Sequence, residues 1–164
     1  MLAYLSGPIE FAEDYGKLWR RKLAPFLRED LGHSVYDPAE DEKKGLTDEE
    51  TSSFRELKTR DLDRFRKIIR KIIAFDLDMI ENRADYLICY WGSSASQSGG
   101  TSAELTAAHR KGIPVYLVTA LPHSEVSGWM LGCADYVFSS VENLKDFLLA
   151  RYAREKSPQA RKGG

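Results

Sequence analysis

Apolar residues in this chain fall into two patterns. Short unbroken runs cover Leu2–Ser6, 33–36, Tyr86–Tyr90 and 114–118, with a weaker fifth at Tyr136–Phe138. Runs such as Tyr86-Leu87-Ile88-Cys89-Tyr90 and Val115-Tyr116-Leu117-Val118 show no polar alternation, as expected of parallel strands covered on both faces. Between the runs, apolar residues recur at helical spacing. Leu18, Trp19, Leu23, Phe26 and Leu27 predict a helix over about 15–31, ending near Gly32. A charged stretch at 48–83 carries Phe54, Leu57, Leu62, Phe65, Ile68, Ile69, Ile72, Ile73, Leu77 and Ile80, and is read as more than one helix. Further helices are predicted at about 101–111, stopping at Gly112, at 125–131 and at Val141–Tyr152.

Strands alternating with helices predict an α/β fold, a doubly wound five-stranded parallel sheet with right-handed crossovers in flavodoxin-like order. The 164 residues fit one domain, taken as 1–152, followed by a flexible polar tail at 153–164. A domain of this size buries roughly 70% of its unfolded surface and needs no disulfide or metal for support.

Composition narrows the function. A net charge of -1 gives no electrostatic reason to expect nucleic acid or a membrane as partner. Cys89 and Cys133 each sit in or beside apolar stretches and are expected as buried free thiols. His33, His109 and His123 have no metal-ligand spacing, and the acidic segment 37–50 is expected to be a solvated loop, so no cofactor or metal is expected. The apolar start lacks a basic leader and no run approaches the ~20 residues that span a bilayer, so the expected location is the cytoplasm.

In an open parallel sheet, ligands bind beyond the carboxyl ends of the strands. Three segments converge there: Ser6-Gly7-Pro8-Ile9-Glu10, the stretch from Trp91 to Glu104, and Thr119-Ala120-Leu121-Pro122-His123. The second is rich in small hydroxyl and glycine residues and feeds a helix, so its N–H groups suit a phosphate or other anion. It is neither a P-loop nor Gly-x-Gly-x-x-Gly, and a plain loop has the same composition. Glu104, expected in the first helical turn, fits either a carboxylate complementing the helix N-terminus or a catalytic one.

The motifs Tyr4-Leu5-Ser6-Gly7-Pro8, Asp76-Leu77 leading to Ala84-Asp85, Gly100-Thr101-Ser102-Ala103-Glu104 and Gly112-Ile113-Pro114-Val115 occur in an order that resembles the nucleoside 2-deoxyribosyltransferase family over residues 1–147. The closer likeness is to its hydrolytic branch, the 2'-deoxynucleoside 5'-phosphate N-hydrolases. That resemblance implies Glu104 as nucleophile on the anomeric carbon, Tyr4 orienting it, and Asp76 assisting leaving-group protonation. The interval from Asp76 to Asp85 is one residue longer than is usual in the family, which leaves Asp78 as a rival; Asp85 is read as structural.

The transferases carry an acidic residue six before the nucleophile, where this chain has Ser98, as the hydrolases do. A hydroxyl and backbone amides can donate to a phosphate dianion that a carboxylate would repel. The resemblance thus implies that Ser6, Gly7, Pro8, Ser98, Gly99, Gly100 and Thr101 contact a nucleoside or nucleotide. It also implies a dimer-based homo-oligomer in which Ser127 reaches a neighbour's site, although Ser127 also suits an ordinary helix cap. Where the hydrolases resemble Gly-Ser-Ile-Arg, this chain has Gly7-Pro8-Ile9-Glu10, and another cation such as Arg20 would have to meet the phosphate. Two rivals from other classes are a non-catalytic nucleotide sensor and an interaction domain with Trp91 and Trp129 at a partner surface.

Overall fold

The computed structural model describes residues 1–152 except 11, 13 and 42, and leaves aside the side chains of 96 and 97. The expected tail lies outside the described residues. Five strands form one sheet: β1 (Leu2–Ser6), β2 (Ser34–Tyr36), β3 (Tyr86–Tyr90), β4 (Val115–Val118) and β5 (Tyr136–Phe138). Their order is β2-β1-β3-β4-β5 and every pairing is parallel, the flavodoxin-like arrangement expected.

Because successive side chains of a strand point to opposite faces, each strand feeds two cores. On one face Ala3, Leu5, Tyr86, Ile88, Tyr116 and Val118 pack against α1 (Lys17–Glu29) and α6 (Val141–Tyr152). On the other face Tyr4, Leu87, Cys89, Val115 and Leu117 meet α3 (Leu62–Asn82), α4 (Gly99–Lys111) and α5 (Gly128–Cys133). Cys89 and Cys133 are buried free thiols. Among the described residues no helix is long and apolar enough to cross a membrane.

The long charged stretch divides at Asp61 into α2 (Asp48–Arg60) and α3. Asp61 ends the first helix, and its carboxylate accepts from Arg64 N at 2.9 Å to begin the second. At the other end of α2, Thr47 Oγ1 accepts from Glu50 N and Glu50 Oε2 accepts from Thr47 N, a reciprocal cap. No residue of α2 is fully buried; ion pairs Arg64–Glu49 and Lys71–Glu50 fasten it to α3. The helix expected at 125–131 forms later, at 128–133, behind a short 3-10 turn at His123–Glu125.

Helix α4 begins two residues before its expected start. Ser98 caps it, with Oγ accepting from Thr101 N, and Gly112, in the left-handed region at φ 70°, ends it. Glu104 therefore lies in the second turn and not the first. That removes it from the helix N-terminus as a mere dipole complement and puts it on the stripe of Thr101, Leu105 and Ala108, which faces the sheet.

Candidate active site

The site is built from β1 outward. Tyr4 and Ser6 are two residues apart on one strand and so share the face that looks toward α3 and α4. Tyr4 OH donates to Glu104 Oε1 at 3.0 Å and Ser6 Oγ to Glu104 Oε2 at 2.5 Å. Both oxygens of one carboxylate are thus held by side chains of β1. Glu104 as a residue is partly exposed, while its carboxyl group is buried. Burial of its carboxyl pushes the pKa up, and the Ser6 and Tyr4 donors pull against that rise.

Asp76 reaches the same crevice from α3. It occupies the 68, 72, 76, 80 line of the helix, a position otherwise filled by isoleucine, and is 8% exposed. Burial raises its pKa and the neighbouring Lys44 ammonium pulls it back. The charge of Asp76 in turn raises both Glu104 and Tyr4, which places the two carboxylates within electrostatic reach. Its rival Asp78 is two positions round the helix and is held by Arg83 Nη2 at 2.9 Å and Asn82 Nδ2 at 2.8 Å. Those contacts keep it out of the Tyr4–Glu104 cluster. Asp85 accepts from Leu2 N at 2.5 Å, tying the start of β1 to the turn before β3.

Two further residues belong to this cluster and went unread in the sequence. Tyr36 stands beside Tyr4 in the β1–β2 register, with ring centroids 5.3 Å apart, and its hydroxyl lies 3.4 Å from Asp76 Oδ1. Lys44, from the loop between β2 and α2, puts its Nζ 2.7 Å from Asp76 Oδ2. Register could have suggested Tyr36; nothing in the run of charges around Lys44 marks it.

The remaining expected contacts divide. Ser98 Oγ is 2.8 Å from Thr101 Oγ1, and Gly99 and Gly100 are exposed at the first turn of α4, where an added Cβ would meet nothing within 4 Å. Gly7 and Pro8 are buried, and Gly7 O accepts from Arg20 Nη2 at 3.0 Å. Ser127 is exposed at the N-cap position of α5, where its carbonyl accepts from Met130 N but its side chain makes no capping hydrogen bond. Trp91 is buried, whereas Trp129 is 65% exposed and donates its indole N–H to Thr106 Oγ1 at 2.9 Å.

Arg20 is not available to a phosphate. It is 1% exposed, donates to Gly16 O, Leu5 O and Gly7 O, and pairs with Asp37 at 3.1 Å. Asp37, expected in a solvated acidic loop, is accordingly buried as the counter-charge. Glu10 lies at the surface in an ion pair with Lys58 at 2.7 Å.

Among the described residues there is no group of His, Cys, Asp and Glu that could hold a metal ion. A surface groove of about 610 Å³ runs between α3 and α4 and is lined by Leu77, Ala103, Thr106 and Arg110 among others. Neither Tyr4, Ser6, Asp76 nor Glu104 lines it, so the convergence of polar groups, not groove size, locates the site.

No family model and no curated protein sequence matches the chain. Solved structures resemble it in fold, two of them as follows. A 2-deoxyribosyltransferase from the psychrotolerant bacterium Bacillus psychrosaccharolyticus superposes with a TM-score of 0.62 at 18% identity, covering 93% of this chain and 96% of that one. A 2-desoxiribosyltransferase from Leishmania mexicana gives 0.53 at 17% identity, with 92% and 98% covered. At these identities what the chain shares with them is the fold: a five-stranded parallel sheet with helices on both sides, matched over nearly the whole length.

Proposed function

We propose that this protein is an N-glycosidase that removes the base from a nucleoside 5'-monophosphate, or from a nucleoside, through a covalent glycosyl ester on Glu104. The observation that carries the reading is the Glu104 carboxylate held by both Tyr4 and Ser6 of β1, with Asp76 within electrostatic reach. A carboxylate fixed in this way is oriented before the sugar arrives, and fixing a nucleophile in advance removes much of the entropy cost of attack.

The chemistry balances in two steps. A Glu104 oxygen bonds to C1' as the C1'–N bond breaks; the electron pair leaves with the base, which takes up a proton on the Asp76 side. Water then attacks C1', the ester C–O bond breaks and the Glu104 carboxylate is restored. If a second base enters in place of water, the same site performs deoxyribosyl transfer. The fold neighbours, which are named as deoxyribosyltransferases, favour that second reading at least as well.

Support for a 5'-phosphate comes from the N-terminus of α4. Ser98 and Thr101 put hydroxyls there, Gly99 and Gly100 leave the approach open, and position 98 bears no carboxylate. Ser127, exposed and uncapped, suits the role of a residue lent to a neighbouring copy in a dimer-based assembly.

The test is a panel of ribo- and deoxyribonucleosides and their 5'-monophosphates, scored chromatographically for free base, with and without a second base as acceptor. The expected result is base release by the wild type and a loss of at least about 10³-fold in Glu104→Ala. Ligand binding without base release would instead identify a nucleotide sensor. Full turnover by Glu104→Ala would reject the nucleophile.

A further inference from the structure

Lys44 occupies a position that the reaction as written does not explain. The loop that carries it turns sharply: Lys44 has φ 38°, Gly45 follows at φ 74°, and Lys44 N donates to Asp41 Oδ1 at 3.1 Å. The turn sends the lysine side chain inward, where it and Asp76 are only 11% and 12% exposed. A tether between a loop and a helix could be made at the surface, as the other ion pairs of α2 are. This pair is instead taken out of water, at a desolvation cost that surface pairs avoid, and it lies beside the candidate nucleophile.

The groups facing Asp76 come from every element around it: Lys44 and Asp41 from the loop, Tyr36 from β2, Tyr4 from β1 and Glu104 from α4. Of these, Lys44 is the only cation that touches it among the described residues. An ionised Asp76 without that cation would face the electron pair of the departing base and repel it. With Lys44 the pair is neutral overall and holds one transferable proton.

We infer that Lys44 is a positioning residue that supplies Asp76 with the proton the departing base takes, so that the Lys44–Asp76 pair, and not Asp76 alone, is the acid of the site. This inference rests on the glycosidase or transferase reading above. As the C1'–N bond breaks, the one proton of the pair passes from Lys44 Nζ across 2.7 Å to Asp76 and on to the base nitrogen, leaving Asp76 ionised. Lys44 is left neutral and is reprotonated by water. Burial raises the Asp76 carboxyl and the Lys44 ammonium lowers it, so the acid form of Asp76 arises only as the proton leaves Lys44. The substrate class that follows is an N-nucleoside whose base must be protonated to leave.

The experiment compares wild type, Lys44→Met and Lys44→Arg on two substrates: the nucleotide from which the wild type releases base, and a 4-nitrophenyl 2-deoxyriboside 5-phosphate, whose leaving group departs unprotonated. Lys44→Met is expected to lose about 100-fold in kcat on the nucleotide with little change in KM. Lys44→Arg should fail to restore it, because a guanidinium keeps the charge but does not give up its proton. Both variants should stay within about threefold of wild type on the nitrophenyl substrate, a readout that loss of structure would not spare. Rescue by arginine, or equal losses on both substrates, would reduce Lys44 to a tether and overturn the inference alone. A wild type that releases base from no substrate removes the underlying reading as well, and the two failures are thereby told apart.

Discussion

Ser6 Oγ and Glu104 Oε2 lie 2.5 Å apart, joining the carboxyl end of β1 to the inner face of α4. The contact decides which way the carboxylate points. A glutamate in the second turn of a surface helix ordinarily extends to solvent, whereas this one is drawn back over the sheet rim by Ser6 and Tyr4 together. Strand pleat puts both donors on one face, and the burial that results sets the protonation behaviour of the Glu104 carboxyl.

Replacing Glu104 by Gln should cost turnover and add stability. Burial raises the Glu104 pKa, so the native state binds a proton more readily than the unfolded chain does. Above the folded pKa the buried carboxylate is charged and native stability is diminished; it recovers as pH falls through that pKa toward the unfolded value. A neutral Gln, still able to accept from Tyr4 or Ser6, escapes this cost. The expected gain near pH 7 is about 2–4 °C in Tm, narrowing as pH falls, with activity down by at least about 10³-fold. Melting curves of the two proteins across pH check the sign.

The same shift governs the pH profile. If Glu104 is the nucleophile it must be ionised, so the acid limb of kcat/KM should lie above the ordinary glutamate value of 4.5. Ser6 donation lowers the Glu104 pKa, and Ser6→Ala removes that help. The limb should move to higher pH in Ser6→Ala, with about a tenfold loss at neutral pH. Tyr4→Phe should move it in the same direction. A limb that stays in place in both variants would mean that another group titrates.

How far the sequence could lead is clearest from individual residues. The unbroken runs at Tyr86–Tyr90 and Val115–Val118 specify central parallel strands because only burial on both faces suits them, and the sheet follows from their order. The start of α4 was read two residues late because Gly99 and Gly100 are poor helix formers; the Ser98 cap offsets that weakness. Glu104, Tyr4 and Asp76 were accessible through the order of short motifs. Lys44 was not, since its contact with Asp76 depends on a turn with two consecutive positive φ values that directs one of several neighbouring charges inward. Asp37 looked solvated for a related reason: its partner Arg20 lies on a different element, and such pairings leave no mark on local composition.

Arg20 makes a contrasting prediction, of stability without catalysis. Its guanidinium ties together Leu5 O, Gly7 O, Gly16 O and Asp37, all behind the site. Gly16 accommodates it at φ 68°, where a Cβ would collide with the guanidinium and with Pro8 O. Arg20→Met strands the buried Asp37 charge and three carbonyls, at a cost of about 3–5 kcal/mol and a fall in Tm on the order of 10 °C. The KM for a monophosphate should be unchanged in the folded fraction, a result that separates a structural arginine from a phosphate ligand.

Ser98→Asp tests the phosphate half of the proposed function with little disturbance of the fold. Asp caps helices about as well as Ser, so Thr101 N keeps an acceptor and α4 should remain intact. The hydroxyl that could donate to a phosphate is replaced by a carboxylate that repels the dianion, while a 5'-hydroxyl can still donate to it. The ratio of kcat/KM for the 5'-monophosphate to that for the nucleoside should therefore fall by about 10–100-fold, most of it through KM on the monophosphate. Because the surrounding charge is exposed, the effect should shrink with added salt. An unchanged ratio at low salt would mean that the phosphate does not lie against this turn, and the site would then be that of an enzyme acting on unphosphorylated nucleosides.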